Sequence, residues 1–314
     1  MTQLSFLSMA QSKKELKRDR FLKAMDEVIP WSRFCELVKP YYKDEHMGRK
    51  RMPLERMLKI ICLQQWYSLS DPAMEEEIYD RASFQKFLNL DLIHDPVPDE
   101  TTILRFRHLL EEHNLFKALF EEINKHLTEK GFLMKSGTIV DATLLSAPSS
   151  TKNQTGKRDP EMSSTKKNGK WHFGMKTHIG VDAESGLVHS ITATTAKTHD
   201  SREFENLLHG DEKIVFGDKA YNSKKQQQKL ENQGVAWGIH TKGTRSTPLT
   251  ENQKQRNKLL SRFRSKVEHP FQVIKCQWNY TKVRYRGIQK NLNQQYLLFG
   301  LFNLLKVRRK LRYV

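Results

Sequence analysis

The sequence predicts a mixed α/β sheet covered by helices and preceded by an all-helical region. Apolar residues recur at helical spacing through the first 130 positions or so, and after Gly131 β-branched and alternating runs take over, separated by helical stretches. At 314 residues the chain has room for two domains, each with its own core. We place them at 1–130 and 131–314.

In the first region, "PLERMLKIICLQQWYSL" puts Pro53 at a first-turn position and Leu54, Met57, Leu58, Ile61 and Leu63 on an apolar side. "LSDPAMEEEIYDRASFQKFL" restarts at Ser70 or Asp71, with Pro72 as the first helical residue. In "DPVPDETTILRFRHLLEEH", Asp99 is suited to cap a helix in which Ile103, Phe106, Leu109 and Leu110 repeat at helical spacing, with Arg105 and Arg107 alongside. Short helices with basic residues on the last one permit a helix-turn-helix-like DNA reader, so 1–130 is expected to bind DNA through Arg105 and Arg107. Small all-helical domains also arise for other purposes.

The second region opens with "SGTIVDATLLSA", a strand by its β-branched run. "WHFGMKTHIGVDAES" and "GLVHSITATTAK" alternate around a turn at Glu184 to Gly186 and read as a hairpin; "DEKIVFGDKAY" and "VAWGIH" are further short strands. Helices are expected over "DSREFENLLHG", over "NSKKQQQKLENQ" and from Thr250 to Lys275. Residues 146–170 are polar, basic and poor in apolar residues, so they are expected to be a mobile loop, one that directly follows a strand carrying an acid.

Charge narrows the function. The chain carries 54 Lys plus Arg against 36 Asp plus Glu, a formal net charge of +18, which suits a protein that meets a polyanion, nucleic acid first. An anionic membrane surface is the rival, but no apolar run approaches the ~20 residues of a membrane span, and "YLLFGLFNLL" fits a buried helix. No secretory signal is read at the start, and Cys35, Cys62 and Cys276 form no CxxC or even framework. A zinc module and a disulfide scaffold are thereby disfavoured, and a reducing cytoplasm is expected.

Three acids stand out. Asp141 ends "TIVDAT", Asp218 takes the matching place in "KIVFGDKAY", and Glu268 lies in "FRSKVEHPFQVIK", whose other charged groups are Arg264, Lys266 and Lys275. On a helix of about 3.6 residues per turn, Arg264, Glu268 and Lys275 fall on nearly one face. Taken singly, Arg264 and Glu268 read as an exposed ion pair worth about 0.3–0.5 kcal/mol, and each Asp as a cap or turn residue. Together, two strand-end Asp and a Glu on a crossing helix can converge, and three anions held close need cations. Hard oxygen donors without His or Cys point to Mg²⁺ or Mn²⁺, and two such ions suit phosphodiester chemistry. Arg264 and Lys275 would then hold phosphates, with Lys266 and Lys219 as further DNA-binding cations.

These segments, "IVDAT", "HIGVDAESGLV", "TTAKTHDSREF", "FGDKAYNSK" and "RSKVEHPFQVIK", resemble the catalytic half of IS5-type insertion-sequence transposases, within the IS4-like group of DDE enzymes. The first 130 residues are similar too, in "RKRMPLERMLKIICLQQWYSLSDPAMEEEI" and "PVPDETTILRFRHLLE". The resemblance implies a ribonuclease H-like fold with a metal triad on Asp141, Asp218 and Glu268. The group's signature of Tyr, Arg, Glu and Lys is met by Arg264, Glu268 and Lys275, while its Tyr position falls on Ser261.

"KTHDS" belongs to the same resemblance, so His199 and Asp200 are candidates to support the site; the plainer reading makes Asp200 or Ser201 the N-cap of the following helix. His172 and His178 are read as satisfied or exposed histidines near the sheet's rim. Trp171 is read as a hydrophobic anchor at a strand start in preference to a platform for a base, and Trp237 and Trp278 as core or its edge. The chain closes with a packed helix ending in Arg308, Arg309, Lys310 and Arg312.

The expected function is that of a DNA transposase: metal-dependent cleavage at the terminal inverted repeats of an element, then attack of the freed 3′-hydroxyl on target DNA. Its partners would be those DNAs and a second or further copy of the chain, in the prokaryotic cytoplasm at the nucleoid. The alternatives are a nuclease of the same fold that does not join strands and an inactive DNA-binding regulator.

Overall fold

The computed structural model describes residues 15–43, 51–134, 136–153, 156–167, 169–244 and 246–311. The N-terminal half is helical throughout: α1 (Lys17–Val28), α2 (Trp31–Val38), α3 (Leu54–Tyr67), α4 (Asp71–Asp80), α5 (Ala82–Leu88), α6 (Glu100–Glu112) and α7 (Leu115–Glu129). Local chemistry sets the helix starts. Ser70 accepts the Ala73 N–H ahead of Pro72, and Asp99 accepts the Thr102 N–H at 2.6 Å.

A six-stranded mixed sheet follows, made of β1 (Gly137–Ser146), β2 (Ser163–Lys167), β3 (Lys170–Asp182), β4 (Val188–Thr195), β5 (Ile214–Gly217) and β6 (Ala236–Ile239). β1 lies between β3, which is antiparallel to it, and β5, which is parallel; β6 continues parallel beyond β5. β4 pairs with the outer side of β3, where β2 continues along the N-terminal extension of β3. The central order β4-β3-β1-β5-β6 is ribonuclease H-like, in agreement with the fold class expected. The remaining helices are α8 (Lys224–Asn232), α9 (Glu251–Gln272) and α10 (Ile288–Leu311).

α10 joins the two halves. Leu297, Leu298, Phe299, Leu301, Phe302 and Leu304 are buried in one apolar core that also takes in α1 to α7 and the sheet. Buried amides fix its register: Gln294 donates to Gln65 at 2.9 Å, and Asn303 accepts the Val188 N–H at 2.8 Å and donates to the Val188 carbonyl at 2.7 Å. The boundary expected near residue 130 falls in the connection from α7 to β1, and the core runs across it.

Three expected elements differ. "DSREFENLLHG" forms two 3₁₀ turns, Asp200–Arg202 and Glu205–Leu207, in place of a helix. Here Phe204 and Leu207 are buried against the sheet's second apolar cluster, and two short turns achieve this without a helix. Residues 146–170 contain a strand, β2, because β3 reaches beyond the end of β4 and offers an open edge that local composition does not reveal. Finally, α9 stops at Gln272 and continues as a π-helical turn over Val273–Gln277, just beyond Pro270, which has no N–H to give to the helical ladder. Arg312 lies outside the described residues.

Candidate active site

The site is built where β5 ends beside the middle of β1, so Asp218 follows a strand end, whereas Asp141 lies within its strand and not at the end that the sequence suggested. Val140 pairs with Gly217, so Asp141 and Asp218 follow at adjacent positions on β1 and β5. Space is tight at Gly217: a Cβ there would stand 2.8 Å from Ile239 Cδ1 and 3.0 Å from Val140 Cγ2, so those side chains would have to shift. β5 stops at Gly217, and the Asp218 carboxylate turns the chain by accepting the Ala220 N–H at 2.8 Å, capping the 3₁₀ turn Lys219–Tyr221.

Asp141 is largely buried. One carboxylate oxygen accepts its neighbour's N–H, from Ala142, at 2.8 Å; the other lies 3.4 Å from Arg264 Nη2 on α9. Burial is the largest influence on this carboxyl and raises its pKa; the Asp218 charge pushes the same way, while Arg264 and the Ala142 N–H oppose them.

α9 is pinned across these strands by groups that carried no obvious signal in the sequence. Thr250 and Gln253 form a capping box at its start. Arg256 donates to the carbonyls of Trp237 and Ile239 at the end of β6, and Asn257 brackets Thr241, accepting its N–H at 3.0 Å and donating to its carbonyl at 3.1 Å. Phe263 stacks on Phe216 of β5 with ring centres 5.0 Å apart, and Val267 is fully buried. Arg264 is thereby aimed at Asp141.

Lys275, on the π turn, reaches β1 two residues past Asp141: Nζ donates to Thr143 Oγ1 at 2.7 Å and to the Leu144 carbonyl at 2.8 Å. Burial lowers its pKa, and Lys167 pushes in the same direction. Glu268 lies one helical turn past Arg264 and is exposed. Among the described residues no group of three or more His, Cys, Asp or Glu is arranged to hold a metal ion. The structure brings Asp141 and Asp218 together and does not gather Glu268 into a three-carboxylate cluster. In this arrangement Arg264 supplies the counter-charge at Asp141.

The other expected site residues divide. Lys219 is exposed beside Asp218. Lys266 donates to the carbonyls of Ala183 at 2.6 Å and Glu184 at 3.3 Å, at the β3–β4 turn. Thr138 near the start of β1 pairs with Asp182, so Lys266 is held at the end of the sheet away from Asp141 and is corrected from a DNA contact to a structural tie. Arg105 is exposed on a groove of about 440 Å³ lined by Tyr42, Met57, Pro98 and Phe106. Arg107 is buried, 2.7 Å from Asp71 and 3.4 Å from Glu111, with its guanidinium 4.6 Å from the Tyr285 ring centre. It too is corrected to a structural role, because its charge is already matched and withdrawn from solvent.

His199, not Asp200 or Ser201, caps the first 3₁₀ turn, with Nδ1 accepting the Ser201 N–H at 3.3 Å. Asp200 is instead paired with Lys176 at 2.9 Å. His178 is fully buried, bonded to Thr194 at 2.8 Å, and not at a rim. Trp278 is buried and Trp237 packs on Phe204, as expected of core and edge. Trp171 reverses the anchor reading: it is 71% exposed.

Two residues escaped the sequence reading. Tyr221, in "GDKAY", is fully buried, its hydroxyl has no bonding partner, and its pKa is raised by burial first and then by Asp141, Asp200 and Asp218. Its hydroxyl is therefore sensitive to all three carboxylates, and a tyrosine three residues after a strand-end Asp was the available signal. His240 follows β6 with Nε2 3.4 Å from Ser261 Oγ, whose hydroxyl also donates to the Asn257 carbonyl at 2.9 Å. Burial and Arg264 lower the His240 pKa, and Asp218 opposes them. No sequence motif marks it.

Two family models match the sequence. Residues 133–304 match the transposase DDE domain, and residues 10–109 match a transposase domain of the DUF772 type. Among solved structures, the chain is similar to the piggyBac transposase synaptic complex with hairpin DNA, solved by cryo-electron microscopy. The identity is 9%, over 96% of this chain and 77% of that one, with a TM-score of 0.45. It is also similar to the crystal structure of the Mos1 strand transfer complex, at 14% identity over 81% of this chain and 87% of that one, with a TM-score of 0.21. Both overlaps are loose, and the assignment rests on the sequence matches. With Asp141 and Asp218 at adjacent positions inside a match that spans more than half of its length, the chain belongs to the DDE transposase family and is a DNA transposase.

Proposed function

We propose that the protein is the transposase of an IS5-type insertion sequence, cleaving the element's terminal inverted repeats and joining the freed 3′-hydroxyl to target DNA. What supports this reading most is a single arrangement: Asp141 within β1 beside Asp218 at the end of β5, faced by Arg264 from α9 and flanked by Lys275 on the π turn.

Members of the family use divalent metal ions, and the donor set fits such an ion. Both Asp side chains offer hard oxygens, no His or Cys competes at the pair, and burial together with the neighbouring like charge disfavours ionised Asp141 unless a cation offsets it. Asp141 and Asp218 would hold Mg²⁺ or Mn²⁺, two ions in the fullest form, with Glu268 as the third ligand. When bound, the metal lowers the cost of charge developing on the attacking and leaving oxygens.

The chain's own residues do the positioning. Arg264 offers a planar fork to a phosphate beside Asp141. Lys275, with two of its three N–H groups held by β1, would offer the third to a phosphate. Lys219 adds charge beside Asp218, and His199 lies next to Asp200, whose charge Tyr221 feels. Arg105 marks the helical region, residues 1–130, as a second DNA contact, where specificity for the repeats would lie. Joining two ends calls for a homodimer or a larger assembly on DNA. The described helices include none long and apolar enough to cross a membrane, and we place the protein at the nucleoid in the cytoplasm.

The test is incubation with Mg²⁺ or Mn²⁺, a DNA carrying the gene's own flanking ends, and a target plasmid, beside Glu268→Gln and Asp141→Asn, with every new junction mapped. End cuts joined to target, and lost in both variants, are expected. End cuts without joining would replace this reading with a nuclease, and binding without cuts with a regulator.

A further inference from the structure

β3 begins before it meets β1. Its pairing with β1 ends where Gly174 opposes Ser146, and residues 170–173 extend beyond that point with β2 as their strand partner. The result is a two-stranded ribbon in which Lys166 opposes Trp171 and Lys167 opposes Lys170. All four are exposed. The segment from Ser163 to Gly174 holds these three lysines and not one acidic residue.

Trp171 has no structural reason to be there. At 71% exposure it anchors nothing, and a solvated indole forgoes the burial that makes tryptophan useful in a core. Its side chain has the same parity along β3 as Phe173 and Thr177, and Thr177 opposes Thr143 on β1, so Trp171 is on the face of the sheet that carries Asp141 and Lys275. On that face the guanidinium of Arg158 sits 5.4 Å from the Phe173 ring centre.

We propose that this ribbon is a DNA-binding finger: it enters a groove of the duplex that leads to Asp141 and Asp218, Lys166, Lys167 and Lys170 contact phosphates, and Trp171 stacks on a base. The proposal rests on the function proposed above. A two-stranded ribbon fits a DNA groove, stacking on an aromatic ring tolerates any base, and the lysines complement the backbone charge. Position follows from the register. Asp141 opposes Ile179, eight residues along β3 from Trp171. At ~3.3 Å per residue that is at most about 26 Å, or about eight base pairs at ~3.4 Å each.

The test uses the full chain carrying Asp141→Asn, so that binding is read without cleavage, on the gene's flanking ends. Hydroxyl-radical footprints and affinities over a salt series are compared for Trp171→Ala, Trp171→Phe and the triple change Lys166→Ala, Lys167→Ala, Lys170→Ala. Trp171→Ala is expected to weaken binding on the order of tenfold and to lose protection within about eight base pairs of the cleavage point, leaving protection elsewhere intact. Trp171→Phe should keep most of the affinity. The triple change should lower the salt slope by about one for each lysine on a phosphate. Unaltered footprints and slopes would overturn the finger. So would a DNA-free change of oligomeric state in Trp171→Ala with an intact footprint, which would make the ribbon a contact between copies. Junction mapping with the unaltered chain is a separate readout: ends bound and protected by the ribbon but never cut would sink the transposition reading and leave the finger standing.

Discussion

Arg264 Nη2 lies 3.4 Å from Asp141 Oδ2, although the two residues are 123 positions apart. The contact gives a carboxylate that burial and Asp218 both disfavour its one strong cationic neighbour. Arg264→Gln should therefore lower cleavage on the order of a hundredfold and destabilise the fold by about 1–3 kcal/mol. Adding Asp141→Asn should recover the stability but none of the cleavage. Urea melts and end-cleavage rates of the double-mutant cycle measure both, and additive stabilities would count against the coupling.

Arg107 and Arg105 sit two residues apart on α6 and should behave oppositely. Arg107→Met leaves Asp71 and Glu111 without the guanidinium that pairs with them, so a loss of about 3–5 kcal/mol is expected. Arg105→Ala should leave the melt unchanged and reduce the salt slope of DNA binding. A wild-type melt for Arg107→Met would refute its assignment as a structural tie.

Lys275 is held by Thr143 Oγ1 at 2.7 Å. Thr143→Val removes that acceptor while keeping the shape, so Lys275 should be less well placed and cleavage should fall several-fold. Thr143→Ser should retain near wild-type rates. Equal loss in both variants would point to packing of the methyl group as the important feature.

His178 sets a pH limit on stability. Burial, its largest influence, pushes its pKa down to about 4; Asp200 and Glu203 oppose this and Lys176 adds to it. Between that value and the ordinary ~6.5, the unfolded chain binds more protons than the folded one, so stability rises with pH across this window. As pH falls from about 6.5 to about 4, this group should remove up to about 3 kcal/mol. Denaturant midpoints measured across the window should fall toward acid, and His178→Gln should flatten the limb.

Gly174 stands where β1, β2 and β3 meet. A Cβ there would lie 2.0 Å from the Leu145 carbonyl, a backbone atom that cannot swing aside. Gly174→Ala should cost about 3 kcal/mol in urea melts and loosen the ribbon beyond it, whereas Gly169→Ala, with nothing near its Cβ, should act only through its φ of +78°.

Wherever a residue's part was fixed by near neighbours in the chain, the sequence alone was sufficient. A β-branched run exposed β1, period-two alternation exposed β3 and β4, helical spacing exposed α3 and α6, and Ser70 and Asp99 announced the helix starts they cap. Asp141 and Asp218 were visible because an acid flanked by apolar residues that a sheet should bury is costly without a purpose, although the strand end expected at Asp141 lies five residues farther on, at Ser146. Tertiary structure decided the rest. Whether Arg107 or Lys266 meets DNA depends on which partners the fold carries to it, and Asp71 and the β3–β4 turn claim them. The strand β2 exists because β3 outruns β4, a fact of pairing that no window of β2's own polar residues contains. His240 and Trp171 gained their interest only when β6 was set beside β5 and the ribbon was left without a core to cover it. Local propensity and pattern act over a few residues, whereas the approach of charges and the exposure of a ring are properties of distances between segments the chain separates by dozens.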